Sequence, residues 1–215
     1  MKNYFLTTVS AFLITALSMS TLAQKDIIPL EVGTVMPAQE HTLIGTDGKS
    51  VETKSLMGSK GLIVIFSCNT CPFVVGGDKF AGWEKDYNGL YDIASKLGFN
   101  LVLVNSNEAK RDKGDGFEDM KEHAVKMNYK MGYYLDMNHI LADAFGAKTT
   151  PHVFFFNKDF KLVYTGSIDN QMEQNKKKHA DYLQNAMNVV SKGKNVKMAS
   201  TPPIGCSIKR INTSK

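Results

Sequence analysis

The chain has 215 residues, 26 Lys and Arg against 21 Asp and Glu, and three cysteines. That length suits one domain with a full core, and an odd cysteine count argues against a purely structural disulfide framework. The lysine clusters at 176–178 and 192–197 read as solvated helix faces, which excludes nucleic acid as the expected partner.

Residues 1–23 have the pattern of a secretory signal peptide: Lys2, a mainly apolar run from Tyr4 to Leu17, then Thr21 and Ala23 placed for cleavage before Gln24. A retained anchor is the alternative, but the run falls short of roughly 20 residues and is diluted by hydroxyls. Cleavage would leave no membrane span. Export predicts a periplasmic or extracellular protein, in a compartment where disulfides persist. Residues 24–40, with Pro29, Gly33 and Pro37, predict an extended lead-in. The domain is then expected over 41–193 and a tail over 194–215.

His41–Ile44 and Ser50–Thr53 flank Gly45-Thr46-Asp47-Gly48-Lys49 and predict a β-hairpin. Ser55–Met57 fits one helical turn. Leu62–Phe66 is an unbroken apolar run bounded by Gly61 and Ser67, the pattern of a strand buried on both faces. Beyond Pro72, Gly76 and Gly77 weaken any helix. Trp83, Tyr87, Leu90, Ala94 and Leu97 then recur at helical spacing, with Gly98 as the stop. Trp83 reads as core rather than as a substrate contact.

Leu101–Val104 predicts a second buried strand, and 105–116 a surface loop. Asp115 with Glu118 resembles a capping box opening a helix through Phe117, Met120, Ala124 and Met127. Gly132–Leu135 predicts a short strand. Asn138 is the expected cap of a helix through Ile140, Leu141, Ala144 and Phe145, stopped by Gly146. Thr149–Phe156 predicts a strand with Pro151 near its start, which suits a cis peptide or an edge position. Phe160–Tyr164 is its hairpin partner. A last helix uses Leu183, Ala186, Met187 and Val190. This order predicts an α/β fold, with a central mixed sheet flanked by helices on both faces.

The chemistry is concentrated in Cys68-Asn69-Thr70-Cys71, followed by a proline suited to a first helical position. The first cysteine is expected at a helix N-terminus, where free N–H groups and the macrodipole favour a thiolate. The second is spaced to close onto it, as thiol–disulfide exchange requires. Half of a zinc site is the alternative. A closed site needs two more ligands, and the chain supplies only Cys206 and five histidines without paired spacing. No metal or other cofactor is expected.

With Cys68-Asn69-Thr70-Cys71 after a buried strand, Thr150-Pro151 about 80 residues later and a β-β-α ending, the chain resembles the thioredoxin-like superfamily. The hairpin extension before the motif, and a tail reading Pro203-Ile204-Gly205-Cys206-Ser207-Ile208-Lys209, are similar to its redoxin, peroxiredoxin-like branch. The resemblance spans roughly residues 30–210. It implies that Cys68 is the exposed nucleophile and Cys71 the buried resolving thiol, with Thr150 and Pro151 shaping the surface where a partner's backbone lies. It also implies protein dithiols or disulfides as partners, with an external redox donor.

There are departures from the family pattern. The strand before the motif carries no carboxylate. Cys68 and Val64 stand where peroxidases of this superfamily carry threonine and proline, which counts against peroxide reduction. His152 is a candidate for tuning a thiolate by its charge. Cys206 is a candidate third redox thiol, or else a small buried hydrophobe. The function expected is an exported thiol–disulfide oxidoreductase working through Cys68 and Cys71. A thiol peroxidase is the alternative, and a copper-binding module using Cys68, Cys71 and His152 is a more distant one.

Overall fold

The structure is a computed structural model that describes residues 27–78, 81–173 and 176–211. The expected signal segment lies outside the described residues. The first hairpin is β1 (Thr42–Gly45) with β2 (Ser50–Glu52), followed by a 3-10 turn at Thr53–Leu56. The predicted buried strand is β3 (Gly61–Ser67), with every residue buried. Helix α1 (Pro72–Val75) ends at Gly76, and α2 (Glu84–Leu97) follows, closed by Gly98 in the left-handed conformation. Then come β4 (Phe99–Asn105), α3 (Phe117–Lys126), β5 (Tyr133–Leu135) and α4 (Ile140–Phe145). The expected single strand over 149–156 is divided at Pro151 into β6 (Thr149–Thr150) and β7 (His152–Asn157). Last are β8 (Leu162–Gly166), α5 (Tyr182–Val190) and a two-residue strand, β9 (Cys206–Ser207).

Seven strands form the main sheet in the order β2-β1-β5-β4-β3-β7-β8. β3, β4 and β5 run parallel, whereas β7 and β8 on one side and β1 and β2 on the other are antiparallel additions. Side chains alternate across a strand, so β3 divides its residues between two cores. Ile63 and Ile65 join α2 and α5 through Tyr87, Leu90, Ala94, Leu183 and Met187. Leu62, Val64 and Phe66 join Leu141, Phe145, Phe154 and Phe156 around α4. The chain is therefore thioredoxin-like, a mixed sheet with helices on both faces.

Two local expectations are corrected. Asn138 does not cap α4, because Asn138 and His139 both take left-handed conformations. The buried Asp136 carboxylate accepts from the N–H groups of Leu141 and Ala142 instead, both at 3.0 Å. The N-cap of α3 is Gly116, not Asp115, and only half of a capping box forms: the Asp119 carboxylate accepts from Gly116 N at 3.0 Å. That leaves Asp115 free to turn inward.

The tail folds back along the domain. Thr165 N donates to Ala199 O and Thr201 N to Thr165 O, both at 3.0 Å. The Thr201 hydroxyl meets the Tyr164 hydroxyl at 2.9 Å, and β9 pairs antiparallel with β6.

Asp136 also accepts from Ser106 Oγ at 2.7 Å and meets His41 Nε2 at 3.0 Å. Asp136→Ala strips an acceptor from several buried donors, each costing about 1–3 kcal/mol. The expected loss is about 2–4 kcal/mol in urea unfolding at unchanged m-value. A loss below about 1 kcal/mol would contradict this role for Asp136.

Candidate active site

β3 delivers Cys68 from its last residue, Ser67, to the end of the sheet. Pro72 occupies the first turn of α1, which makes Cys71, not Cys68, the capping residue of that helix. The first cysteine is thus not at the helix N-terminus, contrary to expectation. Nor is Cys68 exposed: its relative accessibility is 1 % and that of Cys71 is 3 %. All three cysteines are thiols in this structure, and Cys206 is the half-buried one.

A buried polar hub explains why the motif lies so deep. The Asp115 carboxylate accepts from Asn69 N at 2.7 Å and from Thr70 Oγ1 at 2.8 Å. Asn105 Nδ2 and Asn107 Nδ2 donate to the same carboxylate, both at 3.0 Å. Tyr133 OH donates to Asn69 Oδ1 at 2.8 Å, and Asn69 Nδ2 to Gly114 O at 2.9 Å. Arg111 ties the far side together, donating to Asn105 Oδ1, Asp115 O and Asp136 O at 2.8–3.1 Å. Asn105, Ser106, Asn107 and Asp115 are all buried. The segment expected as a surface loop is the support of the cysteine loop. A single sequence signal pointed there: three polar side chains, Asn105, Ser106 and Asn107, directly after the apolar run Leu101–Val104.

The sulfurs converge on Thr150. Its hydroxyl lies 3.2 Å from Cys68 Sγ, and its carbonyl accepts from the Cys71 thiol at 3.2 Å. The Thr150–Pro151 peptide is cis. In the β6–β9 pair, Cys206 stands directly opposite Thr150. Gly205 makes this approach possible, since a Cβ there would come 2.2 Å from Thr150 O. Cys68, Cys71, Thr150, Pro151 and Cys206 therefore form one site.

The two motif thiols are driven apart in acidity. The Cys68 thiol's hydrogen bond to the Cys71 sulfur holds Cys71 low, at about 5, with further help from the Cys206 side chain and main-chain N–H and from Thr150. Donating that bond raises Cys68 well above the usual thiol range, and burial and the Asp115 charge raise it further. Burial, and then its own hydrogen bond to Cys71, push Cys206 up to about 11. At neutral pH one negative charge is thus held on Cys71, between two neutral thiols.

His152 does not belong to this site. On β7 it shares a sheet face with Phe154 and Phe156, whereas Val153 and Phe155 face the cysteines. Its ring lies 4.5 Å from that of Phe154. Nδ1 accepts from Lys148 N at 3.1 Å, and Nε2 meets the Thr165 hydroxyl at 3.3 Å. Burial holds it at about 3, so at neutral pH it has no charge to lend a thiolate. With both ring nitrogens engaged it is not offered to copper either. Among the described residues no group of three His, Cys, Asp or Glu is placed to hold a metal ion. Trp83 is fully buried and donates to Asp169 Oδ1 at 2.8 Å, a core position.

The sequence profile of the redoxin family matches residues 31–183, most of the chain. The chain belongs to the redoxin family. No curated protein matches this redoxin. An uncharacterized conserved protein from Geobacillus kaustophilus is 27% identical to it, with a TM-score of 0.75 over 86% of this chain and 94% of the other. A hypothetical protein from Sinorhizobium meliloti is 28% identical, with a TM-score of 0.71 over 86% and 97%. A peroxidoxin from Mycobacterium tuberculosis shares the fold, with a TM-score of 0.53 at 12% identity over 76% and 97%. Family membership makes this a thiol-based redox protein.

Two titrations check the electrostatics. The reduced protein should carry one thiolate at pH 7, seen by ultraviolet absorbance, which is lost with a midpoint near 5 and is absent from Cys71→Ser. A first thiolate appearing only above pH 8 would contradict the hydrogen-bonded Cys71. His152 has a native value lowered from 6.5 to about 3. Its contribution to stability is therefore complete above pH 6.5 and shrinks as pH falls towards 3. His152→Gln should flatten the acid side of the urea midpoint profile between pH 6.5 and 4; an unchanged slope would count against a neutral buried His152.

Proposed function

We propose that this redoxin is an exported thiol–disulfide oxidoreductase that exchanges disulfides with protein thiols through Cys68 and Cys71. The observation that carries the reading is the convergence of both sulfurs on Thr150, Cys68 Sγ 3.2 Å from its hydroxyl and Cys71 Sγ 3.2 Å from its carbonyl. A thiol of low pKa departs readily from a disulfide, and a neighbouring sulfur allows the pair to close again. The electrons come from or go to an external dithiol donor. Export is supported by the signal-like residues 1–23 and would place the pair in an oxidising compartment. No helix among the described residues is long and apolar enough to cross a membrane.

Peroxide reduction is the weaker reading. A peroxidatic thiolate gains from an adjacent cation, yet the Arg111 guanidinium is committed to Asn105, Asp115 and Asp136. Thr-x-x-Cys is replaced by Cys68-Asn69-Thr70-Cys71.

Insulin reduction with a dithiol donor tests the proposal. Cys68→Ser and Cys71→Ser should each lower the rate at least about a hundredfold, as loss of a nucleophile or of its resolving partner does. Equal rates in wild type and both variants would reject it. Peroxide consumption that exceeds insulin reduction and depends on Cys68 or Cys71 would favour the peroxidase.

A further inference from the structure

The two motif sulfurs are buried, so a protein partner cannot reach them without help. Cys206, opposite Thr150, is the most exposed of the three thiols. Its strand is paired with β6, its side chain and N–H both face the Cys71 sulfur, and the Phe73 N–H faces its own sulfur. The pairing is held on both sides of the strand. Upstream, Ile204 N donates to Ser167 Oγ at 3.3 Å, and Ser167 Oγ donates to Pro202 O at 2.7 Å. Downstream, Ile208 N donates to Lys148 O at 3.0 Å, and Lys209 N to Asn107 Oδ1 at 2.9 Å. Lys209 thereby joins the tail to the same hub that fixes the cysteine loop. A half-buried thiol anchored this closely on another sulfur is more than a small hydrophobe.

We propose that Cys206 is the entry sulfur of a three-thiol relay, forming a disulfide with Cys71 and exchanging it with the protein partner. This rests on the thiol–disulfide reading of Cys68 and Cys71 and adds the route by which they reach the outside. In the inner step the Cys206 sulfur, as thiolate, attacks Cys71 Sγ of the Cys68–Cys71 disulfide. The Cys71–Cys206 bond forms, the Cys68–Cys71 bond breaks, and Cys68 leaves as a thiolate that takes up the proton Cys206 released. No electrons are gained or lost. With Cys71 in a disulfide, its charge no longer raises Cys206, which favours the attacking form. In the outer step a partner thiolate attacks Cys206 Sγ, and Cys71 departs as the thiolate its neighbours stabilise. The partner's second thiolate then displaces Cys206. The partner dithiol is oxidised to a disulfide, and the protein gains the two electrons as Cys71 and Cys206 thiols. The same steps in reverse reduce a partner disulfide.

Full-length Cys68→Ala, which leaves Cys71 and Cys206 as the sole cysteines, is oxidised with diamide, alkylated and mapped by mass spectrometry. The expected result is a peptide pair joined through Cys71 and Cys206. Gly205→Val, whose side chain collides with Thr150 O, should slow that joining at least tenfold in the same background while the far-ultraviolet spectrum is unchanged. In otherwise wild-type protein, Cys206→Ser should lower insulin reduction at least tenfold, yet leave the Cys68–Cys71 pair able to form its disulfide with diamide. Free, fully alkylated Cys71 and Cys206 in oxidised Cys68→Ala would overturn the relay. So would full insulin reduction by Cys206→Ser alongside inactive Cys68→Ser and Cys71→Ser, an outcome that leaves the oxidoreductase reading standing. Failure of that reading shows separately, as insulin turnover that none of the three substitutions changes.

Discussion

Everything at the active end of this protein depends on one shared negative charge. Cys71 holds it because the Cys68 thiol and the Cys206 thiol and N–H donate to its sulfur, with the Thr150 hydroxyl closing the cluster beside Cys68. A buried charge in apolar surroundings is costly unless it is hydrogen-bonded, and the cysteine loop, the β6–β7 corner and the tail each supply part of that bonding. The fold brings together three pieces of chain far apart in sequence to stabilise a single thiolate. The two neighbouring thiols stay protonated because donating to that sulfur is their contribution.

The support for this cluster is polar rather than apolar. Asp115 gathers Asn69, Thr70, Asn105 and Asn107, and Arg111 braces the same residues from behind. Buried networks of this kind are stable only when every member is satisfied, and here the donors and acceptors close on one another. The rigid β3–β4 pair, in register from Gly61–Phe99 to Ser67–Asn105, sets the two halves of the hub side by side. Cys68 and the hub are thus both extensions of the two central strands of the sheet.

Periodicity made most of the scaffold legible. Leu62–Phe66 could only be a strand with two buried faces, and the Trp83-to-Leu97 spacing with Gly98 fixed one helix with its end. The thiolate was expected on the wrong sulfur, Cys68: a proline at the first helical position makes the residue before it the cap, and that residue is Cys71. What composition hid was side-chain direction. The polar run 105–116 looks solvated, yet Asn105, Asn107 and Asp115 face inward, where they partner the backbone and side chains of the cysteine loop. His152 adjoins Pro151 in sequence but falls on the opposite sheet face, a consequence of strand alternation counted from the register with Phe66. The tail carries no strong periodicity. Its return rests on scattered hydrogen bonds to Thr165, Ser167, Lys148 and Asn107, which leave no pattern in the sequence.

The central claim is that Cys68 and Cys71 are a reversible redox pair. Its most direct measurement is equilibration of the protein across a series of glutathione redox ratios, followed by alkylation and mass analysis of each cysteine. The account predicts that both sulfurs become protected together in one two-electron transition as the ratio becomes oxidising. Cys68 and Cys71 that remain alkylated across the whole series, or that change independently of each other, would contradict it.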